Sequence, residues 1–376
     1  MSAPRVKGWC PGAHRPMPSG DGLVVRIRPR LARLSAAQAL GLCALAQEFG
    51  SGVIDLTNRA NLQIRGVEAA RHDALLQGLA GLDLLDVDPA LETRRNLLVT
   101  PFWQPGDVTQ RLAEAVQSIL PALPDMPAKV GFAIDTGPAP LLQDAPADFR
   151  LERAEDGLIL RADGVPLGRP VTEASAMGAL HEMAAWFVAR QTPDHRRMTH
   201  VTAKLTLPPD WTRTAPRPAA PRPRAGTHPL GPLLGAAFGQ LDAGALEQAI
   251  RRSGTDGLRL TPWRLFQLEG VAAVEDLPFV TDPHDPALRI HACAGAPFCP
   301  QATVDTRALA RALGPRLSGQ LHVSGCAKGC ALPRAADVTL VGREGGFDLV
   351  TRGAAWDTPR KRGLSPSQLM DGTGLI

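Results

Sequence analysis

The chain has 376 residues, of which 44% are hydrophobic, and its formal net charge is only +4. This length suits two domains or one large duplicated domain with a well-filled apolar core. So small a net charge does not indicate nucleic acid as a partner, and no apolar run reaches membrane-spanning length. The first twenty residues lack the apolar core of a signal peptide, so we expect a cytoplasmic protein with reduced thiols.

Short strands and helices alternate at the start of the chain. The predicted elements are strands at 23–28, 53–56 and 62–66 and helices from Ser35 to about Gly50 and at 68–80. Ser35 and Gln38 form a capping-box pattern, which indicates where the first helix begins. Side chains two apart on a strand share a face, so Arg26 and Arg28 are expected on one side of the first strand. For the same reason Arg59, Asn61 and Gln63 are expected along one strand edge.

The remainder of the first half has the same mixed character. The predicted elements are strands at 94–100 and 129–134, a hairpin at 149–161 and helices at 107–120 and 173–190. A segment of alternating proline and arginine follows at 213–224, without an apolar period. We interpret it as an extended surface connector between two halves.

The part after the connector repeats the part before it. Thr57, Gln63, Gly66 and Val67 match Thr261, Gln267, Gly270 and Val271 at a constant offset of 204. The later strands, helix and hairpin recur in the same order, which indicates an internal duplication of the α+β class with pseudo-two-fold symmetry. The predicted units are 1–80, 81–205, a linker at 206–226, 227–280 and 281–376.

Four cysteines near the C-terminus form the strongest motif. Cys293 and Cys299 have five residues between them, and Cys326 and Cys330 have three. Four thiolates on two loops suit a cubane iron–sulfur cluster, with one sulfur for each iron. Zinc is less favoured, because structural zinc sites usually take tighter cysteine pairs. A disulfide pair and four unligated core cysteines are weaker alternatives, and Cys43, inside a predicted apolar helix, is expected in the core.

Only the second copy has cysteines in its loops. The first copy has basic residues at corresponding or adjoining positions, namely Arg26, Arg28, Arg59, Arg95 and Lys129. If the halves face each other, the cavity between them is lined by cations on one side and a redox metal on the other. Such a cavity suits a polycarboxylate that gains or loses electrons, although a single arginine is more often solvated or salt-bridged.

The cysteine spacing, the duplication and the Thr57-x-Arg-x-Asn-x-Gln63 stretch resemble the sulfite and nitrite reductase superfamily. The resemblance implies a fold of two halves, each with a ferredoxin-like half-domain and a mixed-sheet α/β domain. It also implies a 4Fe–4S cluster on Cys293, Cys299, Cys326 and Cys330, beside sirohaem in the reductases. The implied tetrapyrrole and anion contacts are Arg26, Arg28, Arg59, Asn61, Gln63, Arg95, Asn96 and Lys129.

Two departures indicate another branch of this superfamily. The reductases have a second lysine where this chain has Gly131, and a glutamine where it has Ala60. The opening Cys10-Pro-Gly, the stretch 16–22 and the stretch 129–133 are instead similar to the branch that oxygenates precorrin-3A in aerobic cobalamin synthesis. That similarity implies a monooxygenase that uses dioxygen to hydroxylate carbon 20 and close a lactone. NADH is then the ultimate electron donor, directly or through a carrier protein.

Three hypotheses remain open from the sequence. They are this tetrapyrrole monooxygenase, a sirohaem-dependent sulfite or nitrite reductase, and a non-catalytic iron–sulfur electron-transfer protein. An additional non-haem iron is a further expectation, with His14 near Cys10 as a candidate ligand, although a loop histidine is more often unligated. No nicotinamide-binding motif can be placed in the sequence.

Overall fold

The structure, a computed structural model, describes residues 10–272 and 276–372. The first ferredoxin-like unit contains, in order, β1 (Met17–Ser19), β2 (Gly22–Ile27), β3 (Arg33–Ser35), α1 (Ala36–Phe49), β4 (Val53–Leu56), β5 (Leu62–Val67) and α2 (His72–Gly81). Helix α1 begins at the predicted capping box, where the Ser35 hydroxyl accepts from the Gln38 amide and the Gln38 side chain accepts from the Ser35 amide. Its buried side packs on this unit's sheet and includes Cys43, whose pKa is raised to about 12 by burial, so its predicted core position is confirmed.

The first α/β unit follows. It contains α3 (Pro89–Arg94), β6 (Leu97–Val99), α4 (Val108–Ile119), β7 (Phe132–Asp135), β8 (Phe149–Ala154), β9 (Gly157–Ala162), β10 (Arg169–Val171), α5 (Glu173–Val188) and α6 (Met198–Thr202). The strand predicted at 94–100 was too long, because its first residue ends helix α3, which begins with Pro89 and is capped by Asp88. The Asp107 cap of α4 and the hairpin at 149–161 are confirmed.

The second half repeats the strand order of the first from β2 onward, with fewer helices in its described residues. Its elements are β11 (Leu233–Gly235), β12 (Gln240–Asp242), α7 (Ala243–Ser253), β13 (Gly257–Leu260), β14 (Leu265–Leu268), β15 (Ile290–Ala292), α8 (Arg307–Leu313), β16 (Leu321–Ser324), β17 (Ala336–Arg343), β18 (Gly346–Gly353), β19 (Lys361–Leu364) and α9 (Pro366–Met370). No helix in the described ranges is long and apolar enough to cross a membrane.

The two ferredoxin-like units exchange strands. The first central sheet has the order β1-β2-β5-β4-β12, and the second central sheet has the order β11-β14-β13-β3. Each half therefore contributes one short strand to the other half's sheet: β12 pairs with β4, and β3 pairs with β13. Helices α1 and α7 contact each other, and a shared apolar core fills the space around them. The exchange makes the two halves one folding unit.

Two outer sheets have identical topology. The first outer sheet runs β6-β7-β8-β9-β10 and the second runs β15-β16-β17-β18-β19, each with three parallel strands followed by two antiparallel ones. The predicted connector packs against the first α/β unit: Trp211 is buried in its core, and Thr214 and Pro216 form bridges to Gly168 and Ala154. Residues 213–224 are extended and none of them is buried, so the connector runs along the surface as predicted while two bridges hold it to the first α/β unit.

One turn shows the duplication at atomic detail. The Thr57 hydroxyl accepts from the amides of Arg59 and Asn61 at 3.3 and 3.1 Å. The Thr261 hydroxyl accepts from the amides at the two corresponding positions at 3.2 and 3.3 Å. The residue in the middle of each turn, Ala60 or Arg264, has a positive φ of 51° or 61°. A shared threonine thus fixes the same turn in both halves.

Candidate functional site

The four predicted cluster cysteines lie on two adjacent loops of the second outer sheet. Cys293 directly follows β15, and Cys326 lies just beyond the end of β16. These strands are parallel neighbours in which Ala292 pairs with Val323. Because parallel strands end at the same edge of a sheet, the loops leave side by side. The fold therefore brings the two cysteine pairs together from positions 33 residues apart in sequence.

Backbone contacts shape the two loops around sulfur. The Gly325 amide donates to the Cys293 Sγ at 3.1 Å. A Cβ at Gly325 would lie 2.6 Å from the Ala302 Cβ, so only glycine lets the loops approach this closely. The Cys299 amide donates to the Gly295 carbonyl at 2.7 Å, and Gly295 has a φ of +68°. Amide-to-sulfur hydrogen bonds such as the one from Gly325 to Cys293 stabilise ligated thiolates in iron–sulfur sites.

The four thiols interact electrostatically. Burial raises the pKa of Cys330, and Cys293, Cys326 and Cys299 raise it further. Burial also raises the pKa of Cys326, and Cys293 and Cys299 raise it further. Thiolates gathered in this way need compensating positive charge, which iron ions supply. Within residues 10–272 and 276–372, no three histidine, cysteine or acidic side chains are grouped for a single metal ion, and a cubane does not require this because each cysteine binds a different iron.

The first half contacts the cysteine loop directly. The Ser19 hydroxyl and the Gly20 amide, in the β1–β2 turn, both donate to the Phe298 carbonyl at 2.6 and 3.0 Å. A Cβ at Gly20 would lie 2.2 Å from the Pro297 carbonyl oxygen. Phe298 immediately precedes Cys299, so this turn of the first half supports the loop that carries the second cysteine.

A polar row crosses the first central sheet toward the cysteines. Arg26 of β2, Gln63 of β5 and Asp55 of β4 are cross-strand neighbours, so their side chains share one face. The Gln63 amide oxygen, turned toward Arg26, accepts from its guanidinium at 2.8 and 3.2 Å. Asp55 pairs with Arg65 at 3.3 Å and lies 3.8 Å from Arg307 of α8. The opposite face of the sheet, with residues such as Ile54 and Ile64, belongs to the apolar core.

Basic side chains gather at the far end of this row. Burial lowers the pKa of Arg59, and Arg197 and Arg26 lower it further while Cys10 raises it. Burial also lowers the pKa of Arg26, which hydrogen-bonds the Cys10 thiol. Arg59 donates to the Lys129 carbonyl at 3.3 Å. Partly desolvated cations that repel one another form a site that favours an incoming anion.

Other predicted contact residues are already engaged within the protein. Arg28 forms a buried ion pair with Glu92 at 2.7 Å, and Arg95 forms one with Asp86 at 2.8 Å. The Asn96 amide donates to the carbonyls of residues 93, 128 and 130 at 3.2, 2.9 and 3.1 Å. These three polar groups hold the strand ends in place, and their role as direct substrate contacts stays a prediction.

The placement of Arg59 and Asn61 on a strand edge was wrong. Both belong to the Thr57 turn before β5, and only Gln63 lies on that strand. The turn forms because the amides of Arg59 and Asn61 donate to the Thr57 hydroxyl and not to a carbonyl of a neighbouring strand. Asn61 is buried, whereas Arg59 is partly exposed beside the basic group.

Sequence reasoning missed two parts of this region. Arg197, before α6, donates to both oxygens of the fully buried Asp148 at 2.9 and 3.1 Å and lies near Arg59. Arg307 joins the cysteine region to Asp55 of the other half. The partners of each pair are far apart in sequence, and no local pattern marks them.

The proposed second-iron ligand His14 is used in packing. Its Nε2 lies 2.7 Å from the Asp86 carbonyl oxygen, and its backbone amide donates to Glu92 at 3.3 Å. Cys10 faces Arg26. An additional non-haem iron therefore stays a prediction without a ligand group in the described part of the chain.

Comparisons with known proteins identify the class of this fold. The family model of the nitrite/sulfite reductase ferredoxin-like half domain matches residues 15–82. The solved structure of the Mycobacterium tuberculosis NirA protein superposes with a TM-score of 0.67 over 93% of this chain and 79% of that chain, at 18% identity. The chain is also 23% identical to sulfite reductase [ferredoxin] 2 of Mycolicibacterium paratuberculosis, over 85% of this chain and 70% of that protein. The fold is thus that of the sulfite and nitrite reductase superfamily, as predicted.

A nearer relative defines the family within this class. The chain is 32% identical to the precorrin-3B synthase of a Sinorhizobium species, and the alignment covers 94% of this chain and 84% of that protein. The protein belongs to the precorrin-3B synthase family, whose members are oxidoreductases. The sequence-based resemblance to this branch is confirmed.

Proposed function

We propose that this enzyme converts precorrin-3A to precorrin-3B in cobalamin biosynthesis, in the cytoplasm. One atom of dioxygen becomes the hydroxyl oxygen at carbon 20, and the ring-A acetate closes to a lactone. The other oxygen atom leaves as water, after two electrons arrive from NADH, directly or through a carrier protein. The proposal draws on the family relation and on the arrangement of polar residues between the two halves.

One observation carries this proposal. Polar residues on one face of the first central sheet connect a cationic group to the unit that carries the cysteine loops. It runs from Arg59 and Arg26 through Gln63 to Asp55, and Asp55 lies 3.8 Å from Arg307 of the cysteine-bearing unit. A substrate with several carboxylates can therefore bind cations on one side while its ring system lies toward the redox centre.

The residues of the chain have separate roles in this proposal. Arg59, Arg26 and Lys129 bind carboxylates of the substrate, since charge-assisted bonds from arginine and lysine to carboxylates are among the strongest in proteins. Gln63 orients Arg26, and Arg28, Arg95 and Asn96 keep the surrounding backbone in position, while the backbone of Asn61 belongs to the Thr57 turn. Cys293, Cys299, Cys326 and Cys330 would hold a 4Fe–4S cluster. Such a cluster supplies electrons one at a time.

The structure also bears on the reductase alternative. Gly131 takes the place of the second lysine of the reductases, and a Cβ there would lie 3.1 Å from the Asn96 carbonyl and 3.8 Å from Arg59 Nη1. Its amide donates to the buried Asp148 carboxylate at 2.9 Å. A side chain at this position would crowd the Asn96 carbonyl, and a site that reduces sulfite or nitrite would lack the charge of the second lysine. We therefore favour the oxygenase over a sirohaem-dependent reductase.

An anaerobic purification followed by a labelled-oxygen assay tests the proposal. The purified protein is analysed for iron and sulfide, and its visible spectrum is recorded. It is then given precorrin-3A, a reductant and ¹⁸O₂, and the product is analysed by mass spectrometry. We expect a product with one ¹⁸O atom, and a spectrum with broad iron–sulfur absorption and no strong macrocycle bands.

The possible outcomes separate the hypotheses. Strong bands of a bound macrocycle, with turnover of sulfite or nitrite, would support a reductase. An intact cluster that exchanges electrons but gives no product would support an electron-transfer protein. For the latter, replacing Arg59 by alanine should leave electron exchange unchanged.

A further inference from the structure

Arg307 occupies an unusual place beside the first cluster cysteine. It is the first residue of α8, and the preceding Thr306 donates its hydroxyl to the Cys293 carbonyl at 2.7 Å. Its side chain is only 14% exposed. Its Nε has no hydrogen-bond partner among the residues that the structure describes. A buried guanidinium without a full set of acceptors is costly, which suggests a role beyond packing.

The charges around Arg307 connect it to both halves. Burial lowers the pKa of Arg307, whereas Asp55 and Cys293 both raise it. Asp55 lies 3.8 Å from its Nη2 and is also paired with Arg65 at 3.3 Å. Arg65 in turn donates to the Ser19 hydroxyl at 3.1 Å, and that hydroxyl donates to the Phe298 carbonyl of the cysteine loop. This network of Arg307, Asp55, Arg65 and Ser19 therefore contacts the cysteine-bearing unit at two places: Arg307 near Cys293, and Phe298, which precedes Cys299.

We infer that Arg307 is a positioning residue that sets the reduction potential of the iron–sulfur cluster, and that Asp55 of the other half moderates its charge. This inference rests on the cluster assigned under the proposed function. The reduced cluster has one more negative charge than the oxidised cluster. A cation in a poorly solvated position beside Cys293 therefore stabilises the reduced form more, and a neighbouring carboxylate partly cancels that effect.

The inference predicts opposite shifts for two substitutions. Arg307→Met keeps an unbranched side chain but removes the cation, so the midpoint potential should fall. Asp55→Asn keeps the shape but removes the anion, so the potential should rise. We expect the ratio of reduced to oxidised cluster at fixed ambient potential to change about tenfold in each case, which equals about 59 mV for a one-electron couple.

The measurement is a redox titration of the purified, cluster-containing protein, followed by electron paramagnetic resonance of the reduced cluster. Arg307→Lys retains the charge and should stay near the wild-type potential. Arg311→Met is the matched control, because Arg311 lies one turn further along α8, is exposed and stacks on Phe238 at 5.0 Å. It should leave the potential unchanged, since solvent screens its charge.

Each result has a defined meaning. If the wild-type protein gives no 4Fe–4S signal, the proposed function fails. If the wild-type cluster is present but both substitutions leave its potential unchanged, or move it in one direction, the inference fails and the proposed function stands. Lower thermal stability with an unchanged potential would show that Arg307 is only an interface residue. Should Arg307→Met not take up a cluster, Asp55→Asn decides alone: a rise supports the inference and no change overturns it.

Discussion

The two halves carry the same ion pair with its charges exchanged. In the first central sheet Asp55 pairs with Arg65, and at the positions offset by 204 in the second central sheet Arg259 pairs with Glu269. The backbone of both halves is equivalent, so an ion pair at this place suits the fold whichever sign each strand carries. The sign of the charge at position 55 or 259 then determines which groups from the rest of the chain can bind to the polar face of that sheet. The first sheet presents a carboxylate to Arg307 of α8, and the second presents a guanidinium to the first half.

The second sheet's polar face is closed by aromatic residues. Arg259 donates to the carbonyls of Pro101 and Trp103 at 2.9 and 2.5 Å and stacks on the Trp103 ring at 4.4 Å. Phe102 stacks on His228 at 4.1 Å. The corresponding face of the first sheet meets the cysteine loops and keeps Arg26 and Arg59 beside each other. The duplication thus produced two similar sheet faces. Aromatic side chains cover that of the second sheet, whereas that of the first sheet keeps its polar side chains beside the cysteine loops.

The largest expected effect concerns the two cysteine pairs in the loops of the second half. Cys326→Ala should remove one of the four ligands of the proposed cluster, so iron and sulfide content should fall to near zero and turnover of precorrin-3A should drop at least about 100-fold. Iron analysis and the labelled-oxygen assay measure both. Cys43→Ala is the matched control, because Cys43 lies in the core beneath the sheet and should leave the cluster intact. A full cluster in Cys326→Ala would contradict the assignment.

The second prediction concerns an arginine that the structure places in a buried pair. Arg95→Met leaves the Asp86 carboxylate buried without its partner, so unfolding free energy should fall by about 3–5 kcal/mol. Denaturant unfolding measures this, and adding Asp86→Leu should recover much of the loss, because the uncompensated charge is then gone. The Michaelis constant of the folded fraction should change little. A large rise in that constant with unchanged stability would instead make Arg95 a direct substrate contact.

The sequence predicted the duplication well and the side-chain partners poorly. Thr57, Gly66 and their counterparts fix turns through their own chemistry, so local pattern was sufficient to find them. The exchange of β3 and β12 was invisible, because strands of three residues carry no usable alternation. Likewise, the pairing of Arg28 with Glu92, 64 residues away, depends on tertiary packing. Residue type alone could not separate structural arginines from those near the basic group.

The third prediction distinguishes the basic group of the first half from surface charge. Under the proposed function, Arg59→Met should lower kcat/KM for the substrate about 50-fold, or about 2 kcal/mol, because it removes a partly desolvated cation assigned to a substrate carboxylate. Steady-state kinetics measure this effect, which should be smaller for Arg59→Lys. Arg111→Met is a control, since Arg111 forms a surface ion pair with Glu173. Equal losses in the Arg59 and Arg111 variants would mean that only net charge matters.

The smallest predicted effect compares the two outer sheets. His322 of β16 is fully buried where the first outer sheet has Ala133 of β7, and both its ring nitrogens lack hydrogen-bond partners among residues 10–272 and 276–372. Burial lowers the pKa of His322 from 6.5 to about 4. The unfolded chain therefore binds a proton as the pH falls below 6.5, whereas the folded chain does not until about pH 4. Stability is thus lost across this window, and by about 2 kcal/mol between pH 7 and pH 5.

His322→Leu removes this titration, so its unfolding free energy should depend less on pH than that of the wild type over the same range. The comparison is made by denaturant unfolding at several pH values, with the difference between the two proteins as the measured quantity. His195→Leu, on a surface loop of the first half, is the matched control for replacing a histidine by leucine. Identical slopes for wild type and His322→Leu would show that folding leaves the pKa of His322 unshifted, and would contradict the prediction.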